Sequence, residues 1–216
     1  MKFITQIEQL NETELLALLS AASVLRKEKY FAEILKVMIH KKISHKKIYE
    51  ALLQTYLFAG FPTALISLKK FNEVVSCGKK YDGYDLSKYS NRGIKNCRRI
   101  YGDKFDKLIS NIKTFSPEMA EWLIVEGYGK VLGRKGLALK EREVCIVSIL
   151  SALKYKDQLY SHIKGAIRVK VEYHLLHKTI TNLRFISSKS TSRFGLDVLN
   201  TYPSNKIKHV ETRLST

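Results

Sequence analysis

Apolar residues in this chain recur at three- and four-residue intervals, and the runs are bounded by helix caps rather than by strand-like alternation. Leu10-Asn11-Glu12-Thr13-Glu14 predicts a helix start, with Asn11 as N-cap and Glu14 as its capping-box partner, continuing through Leu15, Leu16, Leu18, Leu19 and Ala22. A second helix is predicted from about Lys29 to Ile39, with Phe31, Ile34, Leu35 and Met38 on one face. Ser44 is positioned to cap a third, Lys47 to Phe58, whose apolar face carries Ile48, Ala51 and Leu52. Gly60-Phe61-Pro62 interrupts it, and a fourth follows from Thr63 to Val75. Ser76 to Asn91 reads as a loop. Short helices are expected over Gly93 to Gly102 and Asp103 to Ile112, and Ser116-Pro117-Glu118 opens another that runs to about Val125.

An offset of 129 residues lays Leu10, Glu12, Glu14, Lys27, Ile34 and Lys41 on Leu139, Glu141, Glu143, Lys156, Ile163 and Lys170. The order of a capped apolar helix, a charged turn and an amphipathic helix is shared as well. The reading is an all-α chain built from two related helical units, residues 8–75 and 137–183. They are joined by a linker and connecting helices over 76–136 and followed by a polar tail, 184–216, expected to be peripheral.

Composition supports helices: three prolines and eleven glycines in 216 residues are too few for a turn-rich all-β chain. Charge raises a different question, because 38 Lys and Arg against 20 Asp and Glu give a net charge of +18 and invite a nucleic-acid reading. Of the 38, 28 are Lys, spread along the chain without a nucleic-acid motif, so a solvated surface able to steer anions is preferred and no nucleic-acid partner is expected. Cys77, Cys97 and Cys145 are odd in number and far apart, which fits neither a disulfide framework nor a C-x-x-C metal site. A reduced, cytoplasmic protein is expected, with no signal peptide and no membrane span.

Two residues stand where chemistry is possible. Glu143 opens a nearly all-apolar helix, and His162 lies at the edge of an apolar seam formed by Leu159, Ile163 and Ala166. Either is equally at home as structure, Glu143 as a first-turn acid favoured by the helix dipole and His162 as a satisfied core histidine. Together they compose a carboxylate-oriented general acid/base. A plain hairpin turning near Lys154 would set Glu143 nearer Ala166 or Ile167, so their meeting depends on how the helices cross.

Three segments carry a resemblance: 51–65 (ALLQTYLFAGFPTAL), 126–137 (EGYGKVLGRKGL), and Arg142-Glu-Val-Cys145 followed by 158–166 (QLYSHIKGA). They resemble the carboxymuconolactone decarboxylase family, which shares the alkylhydroperoxidase D-like helical fold. The resemblance implies a homo-oligomer in which Glu143 and His162 line a pocket, and cofactor-free, metal-free loss of carbon dioxide from a small anionic lactone or carboxylate. It makes Arg134, Gln158, Tyr56 and Phe61 the substrate-binding candidates, Arg134 by pairing a carboxylate and Tyr56 and Phe61 by walling the pocket. The peroxidase branch of that fold needs cysteines seven and four residues before the histidine, for thiolate attack and disulfide closure. Tyr155 and Gln158 stand there instead, which disfavours an antioxidant peroxidase. In the first unit Glu14 aligns with Glu143 and Glu33 with His162, so that unit is expected to keep the fold without the pair. A non-catalytic binding protein is the remaining alternative.

Overall fold

The computed structural model describes residues 2–75 and 83–202 and is all-α, with no strand among them. In chain order the helices are α1 (Lys2–Glu8), α2 (Glu12–Val24), α3 (Glu28–His40), α4 (His45–Leu53), α5 (Tyr56–Val74), α6 (Leu86–Tyr101), α7 (Phe105–Lys113) and α8 (Pro117–Trp122). A π-helix (Leu123–Val131) follows, then α9 (Leu139–Leu153), α10 (Lys156–Arg168), α11 (Tyr173–Asn182) and α12 (Lys189–Asn200). No single described helix is long and apolar enough to cross a membrane; α4 and α5 reach that mark only as a pair, and they are bent by 119°.

Two helices form the centre. Every residue of α2 from Glu14 to Val24 and of α9 from Arg142 to Ala152 is buried, and the two pack against each other. At ~1.5–3 kcal/mol for each fully buried large aliphatic side chain, this packing outweighs helix propensity of a few tenths per residue. The predicted capping box is present: Asn11 Oδ1 accepts from the Glu14 amide and Glu14 Oε2 from the Asn11 amide, each at 3.0 Å. Lys47 bridges Glu12 and Glu141, tying the starts of α2 and α9 together. One buried polar side chain near the start of each of these helices finds partners from the other unit. Arg142 donates to Glu50 Oε2 at 2.8 Å and to Gln54 Oε1 at 3.3 Å, and Asn182 donates to Glu14 Oε1 at 3.2 Å.

The repeat is structural and its offset is 128, not 129. Left-handed residues end equivalent helices at Arg26 and Lys154, and again at Lys42 and Lys170, 128 apart in each case. The closing hydrogen bonds agree: Lys27 N to Ala22 O matches Tyr155 N to Leu150 O, and Ile43 N to Met38 O matches Val171 N to Ala166 O. The bond from Asn182 to Glu14 likewise maps onto that from Arg142 to Gln54 with the units exchanged. The bonds from the N-cap amide to the third-residue carboxylate are only 127 apart, Asn11 N to Glu14 Oε2 and Ala138 N to Glu141 Oε2, so α9 holds one extra residue near its start. In this register Leu15 and Ile34, both fully buried, occupy the places of Glu143 and His162; Glu33 does not.

Three further expectations change. The second unit continues past residue 183: α4 corresponds to α11 and the later part of α5 to α12, so residues 189–200 of the supposed tail form a helix packed on α9, α10 and α11. Its buried face, Thr191, Ser192, Gly195, Val198 and Leu199, is largely small and polar, so hydropathy did not mark it. Residues 203–216, and 76–82 with Cys77, lie outside the described residues. Asp85 caps α6, which starts inside the expected loop and runs through Gly93 without a break. Ser44 holds the N-cap position of α4 but its hydroxyl makes no capping bond. α5 is broken at Gly60, whose φ of 75° and ψ of 175° are non-helical, directly before Pro62, as the Gly-Phe-Pro segment predicted.

Between the units, α6 packs on the π-helix at backbone distance. A Cβ added to Gly93 would lie 2.1 Å from Ile124 O, and one added to Gly129 would lie 2.1 Å from Tyr89 O. Gly129→Ala is therefore expected to force the two segments apart and to lower stability by at least about 1–3 kcal/mol, the usual cost of overpacking, measured by urea unfolding against the wild type.

Candidate functional site

The left-handed turn at Lys154 sends α10 back across α9, and His162 meets the Glu143 carboxylate: Nδ1 lies 2.9 Å from Oε2. A carboxylate only accepts, so Nδ1 carries the proton and Nε2 is the nitrogen left for other work. Glu143 is fully buried and His162 only 8% exposed. Gly165 provides the room, since a Cβ there would stand 3.2 Å from Glu143 Oε2 and 2.6 Å from Ile100 Cγ2. The other carboxylate oxygen, Oε1, has no hydrogen-bond partner among the described residues.

His162 forms part of the wall of a cavity of about 290 Å³. Its remaining lining is mostly apolar or aromatic: Leu57 and Phe58 from α5, Met119 and Trp122 from α8, Leu123 and Tyr128 from the π-helix, with Tyr101 at the end of α6. Phe58 presents its edge to the imidazole at a ring distance of 6.2 Å. Opposite this apolar surface is one polar corner, where Tyr56 donates to Glu126 Oε1 at 2.9 Å and Lys130 donates to the same carboxylate at 2.9 and 3.2 Å.

Of the predicted residues, His162 and Tyr56 line this cavity; Glu143 does not, and is connected to it only through its bond to His162. Phe61 packs on Tyr56, with ring centroids 4.5 Å apart, but stays 64% exposed and is not part of the lining. Arg134 is held elsewhere: its Nε donates to both oxygens of the buried Glu50 at 3.0 and 3.1 Å, in the network that also contains Arg142, and it does not line the cavity. The physical reason is that a carboxylate has lone pairs enough for two guanidinium groups, and the buried Glu50 takes both Arg142 and Arg134. Gln158 is exposed on α10, also off the lining, and so is Tyr155.

Sequence reasoning missed Tyr101, Tyr128, Phe58 and Trp122. Tyr128 lay inside a segment already singled out, where Gly127 and Gly129 were the available signal of an unusual turn. A nine-residue π-helix is rare and is recognised only from its backbone bonds.

The thiols do not take part in this cavity. Cys97 and Cys145 are buried and free, and burial pushes each up from 9.0 to about 12. Neither therefore offers a thiolate at neutral pH. Among the described residues, no three His, Cys, Asp or Glu side chains are grouped to hold a metal ion.

Comparison with protein-family models, curated proteins and solved structures finds no match to this chain. Its fold and site stand on their own geometry.

The thiol environments predict an alkaline weakness. Unfolded thiols ionise from about pH 9 and folded ones only near 12, so unfolding releases protons in that window and stability falls as pH rises through it. Denaturation midpoints are expected to drop between pH 9 and pH 11, with a shallower fall in Cys97→Ala; equal slopes would contradict the burial argument.

Proposed function

We propose that the protein is an acid/base enzyme in which His162, oriented by Glu143, exchanges a proton with a small molecule held in the aromatic cavity. The observation that carries this reading is the 2.9 Å Glu143–His162 bond at the cavity wall, with Nε2 outside it. A carboxylate on Nδ1 sets the tautomer and stabilises the imidazolium formed when Nε2 takes a proton, so the ring serves as base and then as acid. This asymmetry favours a working site over a core histidine, because the equivalent positions of the first unit, Leu15 and Ile34, are filled by plain hydrocarbon.

The resemblance of segments 51–65, 126–137, 142–145 and 158–166 to carboxymuconolactone decarboxylases supports loss of carbon dioxide from a small lactone carboxylate as the first reaction class to assay. A redox-neutral decarboxylation of that kind calls for no cofactor. With Arg134 committed to Glu50 and Lys130 to Glu126, an anionic group would depend on the His162 imidazolium, so the cavity favours substrates with one charge and an apolar body. A thiol peroxidase is the second reading, and buried, protonated Cys97 and Cys145 count against it. The reading includes a reducing, cytoplasmic setting for these free thiols.

The reading also includes a homo-oligomer, supported by exposed apolar side chains beside the cavity, Phe61 and Leu65 on α5 and Met119 and Trp122 on α8. Light scattering in solution is expected to give a mass of at least two chains, reduced by Leu65→Glu.

For the chemistry, His162→Ala is expected to lower kcat for any lactone decarboxylation by about 10²–10⁴-fold and to abolish the histidine limb of the pH profile. Undiminished turnover with an unchanged profile would show that the cavity binds without acid/base catalysis by this residue.

A further inference from the structure

The cavity contains another polar element besides His162 and the Tyr56–Glu126 corner. Tyr101 and Tyr128 face each other with hydroxyl oxygens 2.9 Å apart and rings edge to face at 5.6 Å, and both line the same cavity as the imidazole. Two hydroxyls carry two protons, and only one lies between the oxygens. Neither hydroxyl makes another hydrogen bond among the described residues, so one O–H is left without an acceptor. That hydrogen is a donor on the cavity wall with no acceptor among the described residues.

The arrangement is also fixed in place. Tyr128 sits on the π-helix and Tyr101 ends α6, the two segments in backbone contact through Gly93 and Gly129. Side chains of α6 bind carbonyls of the π-helix: Asn96 donates to Tyr128 O at 3.1 Å and Arg92 to Gly129 O at 2.7 Å. Tyr128 is 2% exposed. Burial, reinforced by the negative charge of nearby Glu143, pushes both phenols up, so they remain donors throughout the physiological range. A rigid donor pair on the wall of the cavity that His162 also lines is placed as the donors that stabilise a developing oxyanion are.

We infer that the Tyr101–Tyr128 hydroxyl pair binds the oxygen of a substrate carbonyl, and that the site acts on small, apolar-bodied carbonyl compounds that react through an enolate. The inference rests on the acid/base reading of His162. In proton abstraction, Nε2 takes the proton from the carbon beside the carbonyl, the C–H pair becomes the enolate C=C bond, and the carbonyl π pair moves onto the oxygen held by the phenol. In carboxylate loss, the C–C bond to the departing carbon dioxide supplies that pair, and protonated His162 returns a proton to the carbon. Both sequences are redox-neutral.

The probe is 4-nitrophenol, whose oxygen mimics the enolate oxygen, compared with 4-nitrotoluene, which has a similar shape without that oxygen. Binding is followed by quenching of Trp122, the chain's one tryptophan and part of the cavity wall. Wild-type protein is expected to prefer the phenol by about tenfold, the worth of one good hydrogen bond. Tyr128→Phe and Tyr101→Phe should each erase most of that preference while leaving 4-nitrotoluene affinity unchanged. Equal affinity for the two probes in the wild type, a comparison that needs no variant, would overturn the inference, as would a preference that survives in both Phe variants. His162→Gln separates the two readings. Phenol preference retained in that variant, with its catalysis lost, supports both. Catalysis undiminished in His162→Gln counts against the acid/base reading alone, and no phenol preference beside an intact histidine pH limb counts against the oxyanion element alone.

Discussion

Two helices with almost no exposed face impose the main constraint on this protein. α2 and α9 have to be covered on every side, and their polar groups have to be satisfied by whatever covers them. The chain meets that demand twice with the same device. In each unit three more helices wrap the central one, and a polar side chain near its start reaches a partner from the other unit, Glu14 to Asn182 and Arg142 to Gln54. Glu50 brings a full charge into the second pair, and Arg134 and Arg142 both compensate it. Removing Glu50 leaves Arg142 buried without a counter-charge, and Arg134 gives its Nε–H to the same carboxylate, so these residues are bound to the fold.

The site follows from breaking that symmetry. Where the first unit has Leu15 and Ile34, the second places a carboxylate and an imidazole at the same helix crossing, and Gly165 supplies the space for them. Chemistry of this kind requires a cavity, and the segment between the units builds most of it. The π-helix and α6 contact each other at glycine positions, so the π-helix can swing Tyr128, Leu123 and Glu126 toward His162. The second unit's helices supply the Glu143–His162 pair, and the connecting region supplies most of the aromatic wall.

Much of the secondary structure was legible because its causes are local. Asn11 and Glu14, Ser116 before Pro117, and Gly60 before Pro62 mark helix ends through bonds and backbone preferences reaching only a few residues. Where local signals weakened, the reading failed. α12 hides a buried face made of Thr, Ser and Gly, which pack well and score as polar. The offset of the repeat was missed by one residue because matching identities cannot register the extra residue in α9, whereas the left-handed turns at Lys154 and Lys170 can. Arg134 looked free because its partner, Glu50, is 84 residues away.

By itself, the sequence determined an all-α chain, its helix caps and breaks, the existence of two related units, and Glu143 and His162 as the residues to watch. These depend on hydrogen bonds along one helix and on periodic burial, both written within a few turns of chain. Only the tertiary structure decided that Glu143 meets His162, that Tyr101 and Tyr128 stand beside them, and that Arg134 and Gln158 do not. Those outcomes depend on the crossing of α9 and α10 and on the backbone contact of α6 with the π-helix. Both are set by long-range packing, where a change in crossing or a single added Cβ shifts a side chain by more than a hydrogen bond can span.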